Sequence, residues 1–183
     1  MKFINKYKSP NYNLRKKDFS IKFVIIHYTA IENEVDALKH LCEKKNKVSS
    51  HFLINKKGLI YSLVNIKFRA WHSGKSYWNN ISDINSSSIG IEIDNSGHFN
   101  KNENYTSDQI LSLIKLLKIL KKKYKINKYN ILGHSDVAPF RKIDPGEKFP
   151  WKLLYNRKIV FFPKRLNKIS SNKVDYYLKT KLI

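Results

Sequence analysis

The sequence predicts an α/β fold with a single central mixed β-sheet flanked by α-helices. Short apolar runs rich in β-branched residues, at 23–26 and 89–93, are typical of strands buried on both faces of a sheet. Two longer segments, 34–45 and 106–125, carry apolar residues at helical spacing with charges between them. Alternating strands and amphipathic helices are typical of α/β domains, and 183 residues are enough for one full core.

The composition indicates a globular and strongly basic chain. Hydrophobic residues make up 42% and aromatic residues 13%, which excludes the disordered class, and no apolar run reaches the roughly 18 residues of a membrane helix. The net charge of +22 comes mainly from lysine, whereas nucleic-acid readers favour arginine for bidentate contacts. We therefore interpret the charge as a compositional bias with weak attraction to anions. The single cysteine, Cys42, excludes an intrachain disulfide, and we expect it to be a small buried apolar residue.

The first half of the chain begins with a turn-like basic segment. We predict that residues 1–20 form an extended arm on the domain. A buried strand over 21–30 ends at His27, and an amphipathic helix over 34–45 follows, with Val35 on its apolar side. Strands at 49–55 and 59–64 are predicted to form a hairpin, because Gly58 suits the positive φ angle of a tight turn.

The middle of the chain contains two features that suggest a ligand site. The loop over 70–87 holds Trp71 and Trp78 among serine and asparagine residues. It forms either the rim of a sugar or peptide site or a loop packed down by its own aromatic rings. In the strand over 88–95, Glu92 interrupts an isoleucine-rich run. A buried carboxylate is costly unless it is functional, and burial would raise its pKa towards that of a general base.

The last predicted elements are a long helix, a strand and a short helix. Thr106 and Gln109 form a capping box that starts the helix over 106–125. Lysines near its end favour the helix dipole by roughly 0.3–1 kcal/mol each, which accounts for them without nucleic acid. A strand over 129–134 then leads into His134, and Pro150 suits the start of a helix over 149–154.

Three potential metal ligands lie at or just after predicted strand ends, namely His27, His134 and Asp144. Two imidazoles and one carboxylate, with water as a fourth ligand, suit a zinc ion with one open position. The residue types alone leave the alternative open, because a histidine that ends a buried strand is also found as a core residue bonded to the backbone.

Six motifs in this order resemble the type 2 N-acetylmuramoyl-L-alanine amidases, which are related to peptidoglycan recognition proteins. These are Val-Ile-Ile-His-Tyr-Thr-Ala at 24–30, Ser-Ser-His-Phe at 49–52, Ala-Trp-His-Ser-Gly at 70–74, Ser-Ile-Gly-Ile-Glu at 88–92, Gly-His-Ser-Asp-Val-Ala-Pro at 133–139 and Lys-Ile-Asp-Pro-Gly at 142–146. They cover about residues 20 to 154 at family-like intervals. The likeness is closest to the broad-specificity, outer-membrane-anchored bacterial branch.

The resemblance implies a peptidoglycan-recognition/amidase type of fold and a site with one zinc ion. His27, His134 and Asp144 match the zinc ligands, with Asp144 where phage relatives have cysteine. Glu92 matches the acidic residue that activates the attacking water, and Lys142 matches the lysine that stabilises the oxyanion.

Further positions complete the site that the resemblance implies. Ser50 stands where some relatives carry a catalytic tyrosine, so this chain would depend on its acidic residue instead. His51, Trp71 and His72 are expected to contact the substrate. Without the resemblance, Lys142 would be interpreted as a solvated loop lysine.

The implied function is hydrolysis of the amide bond between N-acetylmuramic acid, or its 1,6-anhydro form, and L-alanine of the stem peptide. The alternatives are a peptidoglycan-recognition module without catalysis and, from charge alone, a nucleic-acid binder. We expect a bacterial monomer that binds peptidoglycan or muropeptide fragments and has no specific nucleic-acid partner and no transmembrane segment. Such an enzyme acts in cell wall degradation or in muropeptide recycling.

We predict that residues 21–157 form the zinc amidase domain and residues 158–183 a basic C-terminal extension. The first 19 residues lack the apolar core of a signal peptide, which favours the cytoplasm. A periplasmic or outer-membrane location is the alternative if a signal has been removed.

Overall fold

The structure is a computed structural model that describes residues 2–98 and 103–162. Its strands and α-helices follow one another in this order: β1 (Phe3–Ile4), β2 (Tyr12–Leu14), β3 (Phe23–Tyr28), α1 (Glu34–Cys42), β4 (Phe52–Ile54), β5 (Ile60–Ser62), β6 (Phe68–Ala70), α2 (Ile84–Ser87), β7 (Ser88–Ile93), α3 (Ser107–Tyr124), β8 (Ile131–Gly133), α4 (His134–Val137) and α5 (Trp151–Asn156). Short 3₁₀ helices at Lys44–Asn46 and Lys128–Asn130 precede β4 and β8.

The central sheet has six strands in the order β1-β5-β4-β7-β3-β8. Strands β4, β7, β3 and β8 run parallel, whereas β5 is antiparallel to β4. The hairpin predicted at Gly58 connects these two antiparallel strands, and Gly58 has a φ angle of 74°. The predicted mixed sheet with flanking helices is therefore confirmed.

Strand β7 presents different chemistry on its two faces. Ile89, Ile91 and Ile93 are fully buried in the apolar cluster that includes the buried side of α3. Because strand side chains alternate, Ser88, Gly90 and Glu92 project to the opposite face. Each buried isoleucine stabilises the fold by roughly 1.5–3 kcal/mol, so the apolar face holds the strand while the other face is available for function.

Helix α3 follows the sequence prediction closely. The Thr106 Oγ1 atom accepts a hydrogen bond from the Gln109 amide at 3.2 Å, and the Gln109 side chain accepts from the Thr106 amide at 3.0 Å. The buried side of the helix forms the predicted stripe, with Leu113 and Leu117 fully buried. The helix ends at Tyr124, and the next residue, Lys125, caps it with a left-handed φ angle of 52°.

Helix α1 is shorter than predicted and uses a different apolar side. It ends at Cys42, and its buried residues are Ala37, Leu38 and Leu41. Val35 is 68% exposed, so its predicted place on the apolar side is wrong. At 100° per residue Val35 lies roughly 110° from the centre of that stripe, and so it points to solvent.

The N-terminal segment contributes two short strands that pair with strands of the domain. Strand β1 pairs with β5 at the edge of the central sheet, and β2 forms a separate two-stranded sheet with β6. The Arg15 guanidinium donates hydrogen bonds to the carbonyl oxygens of Asn85, Ser86 and Ser88 at 2.8–3.0 Å. Strand pairing with β5 and β6 and the hydrogen bonds from Arg15 thus hold this segment on the domain.

Two further expectations concern the ends and the membrane. The predicted basic extension over 158–183 lies outside the described residues from 163 onward. Across 2–98 and 103–162, every helix is too short or too polar to pass through a lipid bilayer.

Candidate metal and catalytic site

Three neighbouring segments carry the predicted ligands to one place. His27 is the fifth residue of β3, and His134 directly follows β8, which pairs with β3. The sequence predicted His134 at a strand end, and the structure makes it the first residue of α4. Asp144 returns to the same place because its carbonyl oxygen accepts a hydrogen bond from the Ser135 amide at 2.9 Å.

The three potential ligand atoms form a small triangle. His27 Nδ1 lies 3.0 Å from His134 Nδ1 and 3.0 Å from Asp144 Oδ2. His134 Nδ1 and Asp144 Oδ2 are also 3.0 Å apart, and all three side chains are buried. The expected grouping of these residues is therefore present in the structure.

The second ring nitrogen of His134 identifies its tautomer. His134 Nε2 lies 3.1 Å from the carbonyl oxygen of Ser73. A carbonyl oxygen can only accept a hydrogen bond, so Nε2 carries the proton. In the neutral imidazole, Nδ1 then presents its free lone pair to the triangle.

A chain of hydrogen bonds identifies the tautomer of His27 in the same way. The Ser88 hydroxyl donates to the Ile84 carbonyl oxygen at 2.6 Å, so its oxygen can only accept from His72 Nε2 at 3.1 Å. His72 Nδ1 is then an acceptor, and it lies 3.1 Å from His27 Nε2. The proton of His27 is therefore on Nε2, and its Nδ1 lone pair also faces the triangle.

These protonation states leave a buried site that attracts a cation. Burial lowers the pKa of His27 to about 4, with a further contribution from His134, so its imidazole is neutral near pH 7. Two nitrogen lone pairs and a carboxylate oxygen thus converge with no proton between them. This donor set fits a divalent metal ion held by three protein ligands.

Glu92 lies beside His27 on the neighbouring strand. The two residues are paired in the register of β3 and β7, so their side chains project from the same face of the sheet. The Glu92 Oε2 atom is buried without a hydrogen-bond partner among the described residues. Burial raises the pKa of Glu92 well above its usual value, the charge of Asp144 adds to this, and Lys142 opposes it. Such an unpaired, proton-attracting carboxylate is typical of a catalytic base.

One cavity joins the predicted catalytic groups. It has a volume of about 170 Å³ and is lined by the three ligand residues together with Glu92 and Lys142. A more open cavity of about 460 Å³ adjoins it through Lys142 and includes Ile143 and Trp151 in its wall. The structure therefore brings the five metal and catalytic candidates together and provides space beside them.

The three residues expected to contact substrate lie in different surroundings. Trp71 is half-buried and donates from Nε1 to the Asn13 side chain at 2.8 Å. His72 borders the smaller cavity, but its two ring nitrogens are both engaged by neighbouring groups. His51 is fully buried, and its Nδ1 atom accepts a hydrogen bond from the Gly90 amide at 3.0 Å. Their roles in substrate binding remain predictions.

The buried imidazole of His51 predicts acid-sensitive stability. Burial, together with the neighbouring Arg15, lowers the pKa of His51 from 6.5 to about 3. Below pH 6.5 the unfolded chain takes up a proton that the folded chain rejects, so stability falls as the pH drops towards 3. We expect this one residue to change the unfolding equilibrium constant by about tenfold per pH unit in that window.

Urea unfolding of the wild type and His51→Asn between pH 7 and 4 measures this contribution. Asparagine does not take up a proton in this pH range, so we expect the variant to lose less stability per pH unit than the wild type. Its side-chain oxygen can still accept the hydrogen bond from the Gly90 amide. His40→Asn is the control, because His40 is exposed on α1 and its stability curve should follow that of the wild type. Parallel curves for wild type and His51→Asn would show that His51 does not carry the effect.

A metal-type ligand set next to a buried unpaired carboxylate defines a class of protein, the metal-dependent hydrolases built on an α/β sheet. The family model described as "Amidase_2: N-acetylmuramoyl-L-alanine amidase" matches residues 17–147. The chain belongs to this family.

Individual relatives agree with the family. The chain is 36% identical over 171 residues to N-acetylmuramoyl-L-alanine amidase AmiD of Escherichia coli, covering 86% of this chain and 58% of AmiD. It is 33% identical over 162 residues to 1,6-anhydro-N-acetylmuramyl-L-alanine amidase AmpD of Haemophilus influenzae, covering 79% of this chain and 86% of AmpD. The structure of E. coli AmiD with anhydro-N-acetylmuramic acid-L-Ala-D-gamma-Glu-L-Lys superposes with a TM-score of 0.71 at 33% identity, covering 96% of this chain and 66% of that one.

Proposed function

We propose that this chain hydrolyses the amide bond between N-acetylmuramic acid, or its 1,6-anhydro form, and L-alanine of the peptidoglycan stem peptide. One observation carries the proposal. The ligand triangle and Glu92, whose Oε2 atom has no hydrogen-bond partner among the described residues, line the same cavity. A binding module needs no unpaired buried carboxylate, which costs stability, whereas hydrolysis needs a base.

The relatives support the class of substrate. AmpD is named for the 1,6-anhydro-N-acetylmuramyl-L-alanine bond, and the AmiD structure contains an anhydromuramyl tripeptide as substrate. We therefore propose peptidoglycan fragments as the partner, a role in peptidoglycan turnover or recycling, and action as a monomer. The adjoining cavity beside Lys142 and Trp151 is the proposed place for the parts of the substrate that flank the scissile bond.

We assign His27, His134 and Asp144 as the residues that would hold one zinc ion, since zinc favours nitrogen and oxygen donors at an open four-coordinate site. When bound, zinc supplies Lewis acidity, which lowers the pKa of water and polarises a carbonyl group. Because the protein already orients both Nδ1 lone pairs, little reorganisation is required on metal binding.

Glu92 is assigned as the general base. Its raised pKa gives it a strong affinity for the proton that the attacking water releases. The same carboxyl group can then deliver that proton to the leaving amine of L-alanine. This transfer is needed because an amine anion is a very poor leaving group.

Lys142 is assigned to the developing oxyanion. It lies two residues before Asp144, and it lines both cavities, so its ammonium group can face the scissile carbonyl. A preorganised donor of this kind contributes roughly 3–4 kcal/mol to the stability of the transition state. The positive charge also opposes the rise in the pKa of Glu92.

Incubation of the purified chain with a defined anhydromuramyl peptide and with intact peptidoglycan tests the proposal. We expect zinc-dependent release of a peptide that begins with L-alanine, detected by mass spectrometry, which stops with a chelator and returns when zinc is added. Binding of the fragment without cleavage by the zinc-loaded chain would favour a recognition module instead. Cleavage at another bond would overturn the assignment of the scissile amide.

A further inference from the structure

We propose that His72 is a positioning residue that keeps the proton of His27 on Nε2 and thereby keeps Nδ1 available as a metal ligand. The proposal deepens the proposed function, because it rests on the assignment of His27 to the metal site. It gives His72 a task behind the ligand in place of the predicted contact with substrate.

The alternative tautomer of His27 explains why such a residue is needed. His27 Nδ1 lies 3.0 Å from Asp144 Oδ2, which is an attractive acceptor because hydrogen bonds to charged groups are strong. A proton on Nδ1 would bond to that carboxylate and would block the nitrogen that faces the metal site. The acceptor at His72 Nδ1 competes for the proton from the other side of the ring.

The proton position of His72 is itself determined by a chain of hydrogen bonds that starts at a backbone carbonyl oxygen, which can only accept. Its Nε2 atom bonds to Ser88 Oγ, whose own proton is used by the carbonyl oxygen of Ile84. Its Nδ1 atom lies 2.9 Å from the Ser73 hydroxyl, which can add a second donor to the same lone pair. The direction of the relay thus originates at a backbone carbonyl and ends at the metal-binding nitrogen.

The neighbouring strand is shaped to receive the His72 ring. A Cβ atom on Gly90 would lie 2.4 Å from His72 Cγ, so only glycine leaves room for the ring. Ser88, Gly90 and Glu92 project from the same face of β7, and they provide the anchor of the ring, the space for the ring and the base. One stretch of strand therefore serves both metal-ligand orientation and proton transfer.

Two consecutive loop residues, His72 and Ser73, orient the two imidazole ligands. The His72 side chain contacts His27, while the carbonyl oxygen of the next residue, Ser73, contacts His134. The Asn85 Oδ1 atom accepts hydrogen bonds from both loop amides, at 3.2 Å and 2.8 Å. These bonds fix the backbone of the loop so that both contacts form together.

His72→Phe and His72→Asn separate positioning from packing. Phenylalanine keeps a ring over Gly90 but has no nitrogen, whereas the asparagine oxygen can replace Nδ1 as the acceptor for His27. We expect His72→Phe to weaken zinc binding by about 10–100-fold, the usual effect of losing an outer partner of a metal ligand. We expect His72→Asn to keep most of the affinity. Zinc affinity is measured by competition with a chelator, and Lys39→Phe on the exposed side of α1, outside the site cavity, serves as a control that should bind as the wild type does.

The tautomer of His27 is read directly by long-range ¹H–¹⁵N NMR of the metal-free chain. We expect Nε2–H in the wild type and in His72→Asn, and a shift to Nδ1–H in His72→Phe. Ser88→Ala is the second variant, useful if His72→Phe does not fold, and it should also shift the tautomer because it frees His72 to reverse. Wild-type tautomers in His72→Phe or Ser88→Ala, or equal losses of zinc affinity in His72→Phe and His72→Asn, would overturn the proposal.

The NMR readout also separates this proposal from the proposed function. A metal-free wild type with Nε2–H on His27, followed by zinc binding without amide cleavage, would contradict the amidase assignment and leave the role of His72 intact. Amide cleavage by a wild type whose His27 carries its proton on Nδ1 in the metal-free state would support the amidase assignment and contradict the role of His72.

Discussion

Replacing Glu92 with glutamine is expected to lower kcat on an anhydromuramyl peptide by about 10²–10⁴-fold, the usual contribution of a general base. Glutamine has nearly the same shape but cannot take up the proton of the attacking water. Zinc content should stay at the wild-type level, because Glu92 is not part of the ligand triangle. The free energy of unfolding should be unchanged or higher, since the variant removes a buried carboxylate with an unpaired oxygen.

Asp94→Asn provides a matched control for this experiment. Asp94 is also buried, has one oxygen without a hydrogen-bond partner within residues 2–98 and 103–162, and has its pKa raised to about 6 by burial, but it does not line the site cavity. Its conversion to an amide should leave kcat unchanged. Wild-type kcat in Glu92→Gln would remove Glu92 from the mechanism, and equal losses in both variants would point to a general effect on strand β7 and the residue that follows it.

Replacing Asp144 with asparagine is expected to abolish the stabilisation that zinc gives to the fold. A ligand that binds only the folded chain raises Tm by an amount that grows with the logarithm of its affinity, so zinc should raise the Tm of the wild type. The amide of Asp144→Asn is a poor zinc ligand, and its NH₂ group can donate to the two facing imidazole lone pairs. In a chelator, the variant should therefore unfold at a higher temperature than the wild type, and added zinc should reverse that order.

Asp136→Asn is the control for the effect of zinc. Asp136 lies on α4, two residues after His134, is not part of the ligand triangle, and accepts a hydrogen bond from the Gly133 amide at 2.7 Å. This variant should lose some stability with and without zinc and should keep the increase in Tm. An undiminished zinc-induced rise in Asp144→Asn, or wild-type metal content after dialysis, would exclude Asp144 as a ligand.

Local patterns predicted much of the fold. The capping box at Thr106, the glycine turn at Gly58 and the isoleucine periodicity of β7 depend on residues close in sequence, and all three were confirmed. Contacts between residues distant in sequence decided the rest. The prediction for Val35 was wrong because α1 turns a different side to the sheet, and the pairing of β1 with β5 and of β2 with β6 appears only in the structure.

The chemical identity of the site was predictable to a similar extent. His27, His134 and Asp144 were expected as ligands from their residue types, their positions after strands and a family resemblance, and the structure places their ligand atoms 3.0 Å apart. Glu92 was expected as a base because a carboxylate within a buried strand has a high desolvation cost. The residues that orient the ligands, such as His72 and Ser88, gave weaker signals in the sequence. The local signal was Gly90, which interrupts the isoleucine-rich run and leaves room for the His72 ring.

The sequence by itself determined which groups can perform the chemistry, because ligand and base strength belong to the side chains and apolar patterning locates the strands and helices that carry them. Only the tertiary structure decided which nitrogen of each histidine faces the metal site. That choice depends on His72, 45 residues from His27, and on the Ser73 carbonyl, 61 residues from His134. A tautomer is set by the hydrogen-bond partner of the opposite ring nitrogen, and no local pattern in the chain specifies a partner so distant in sequence.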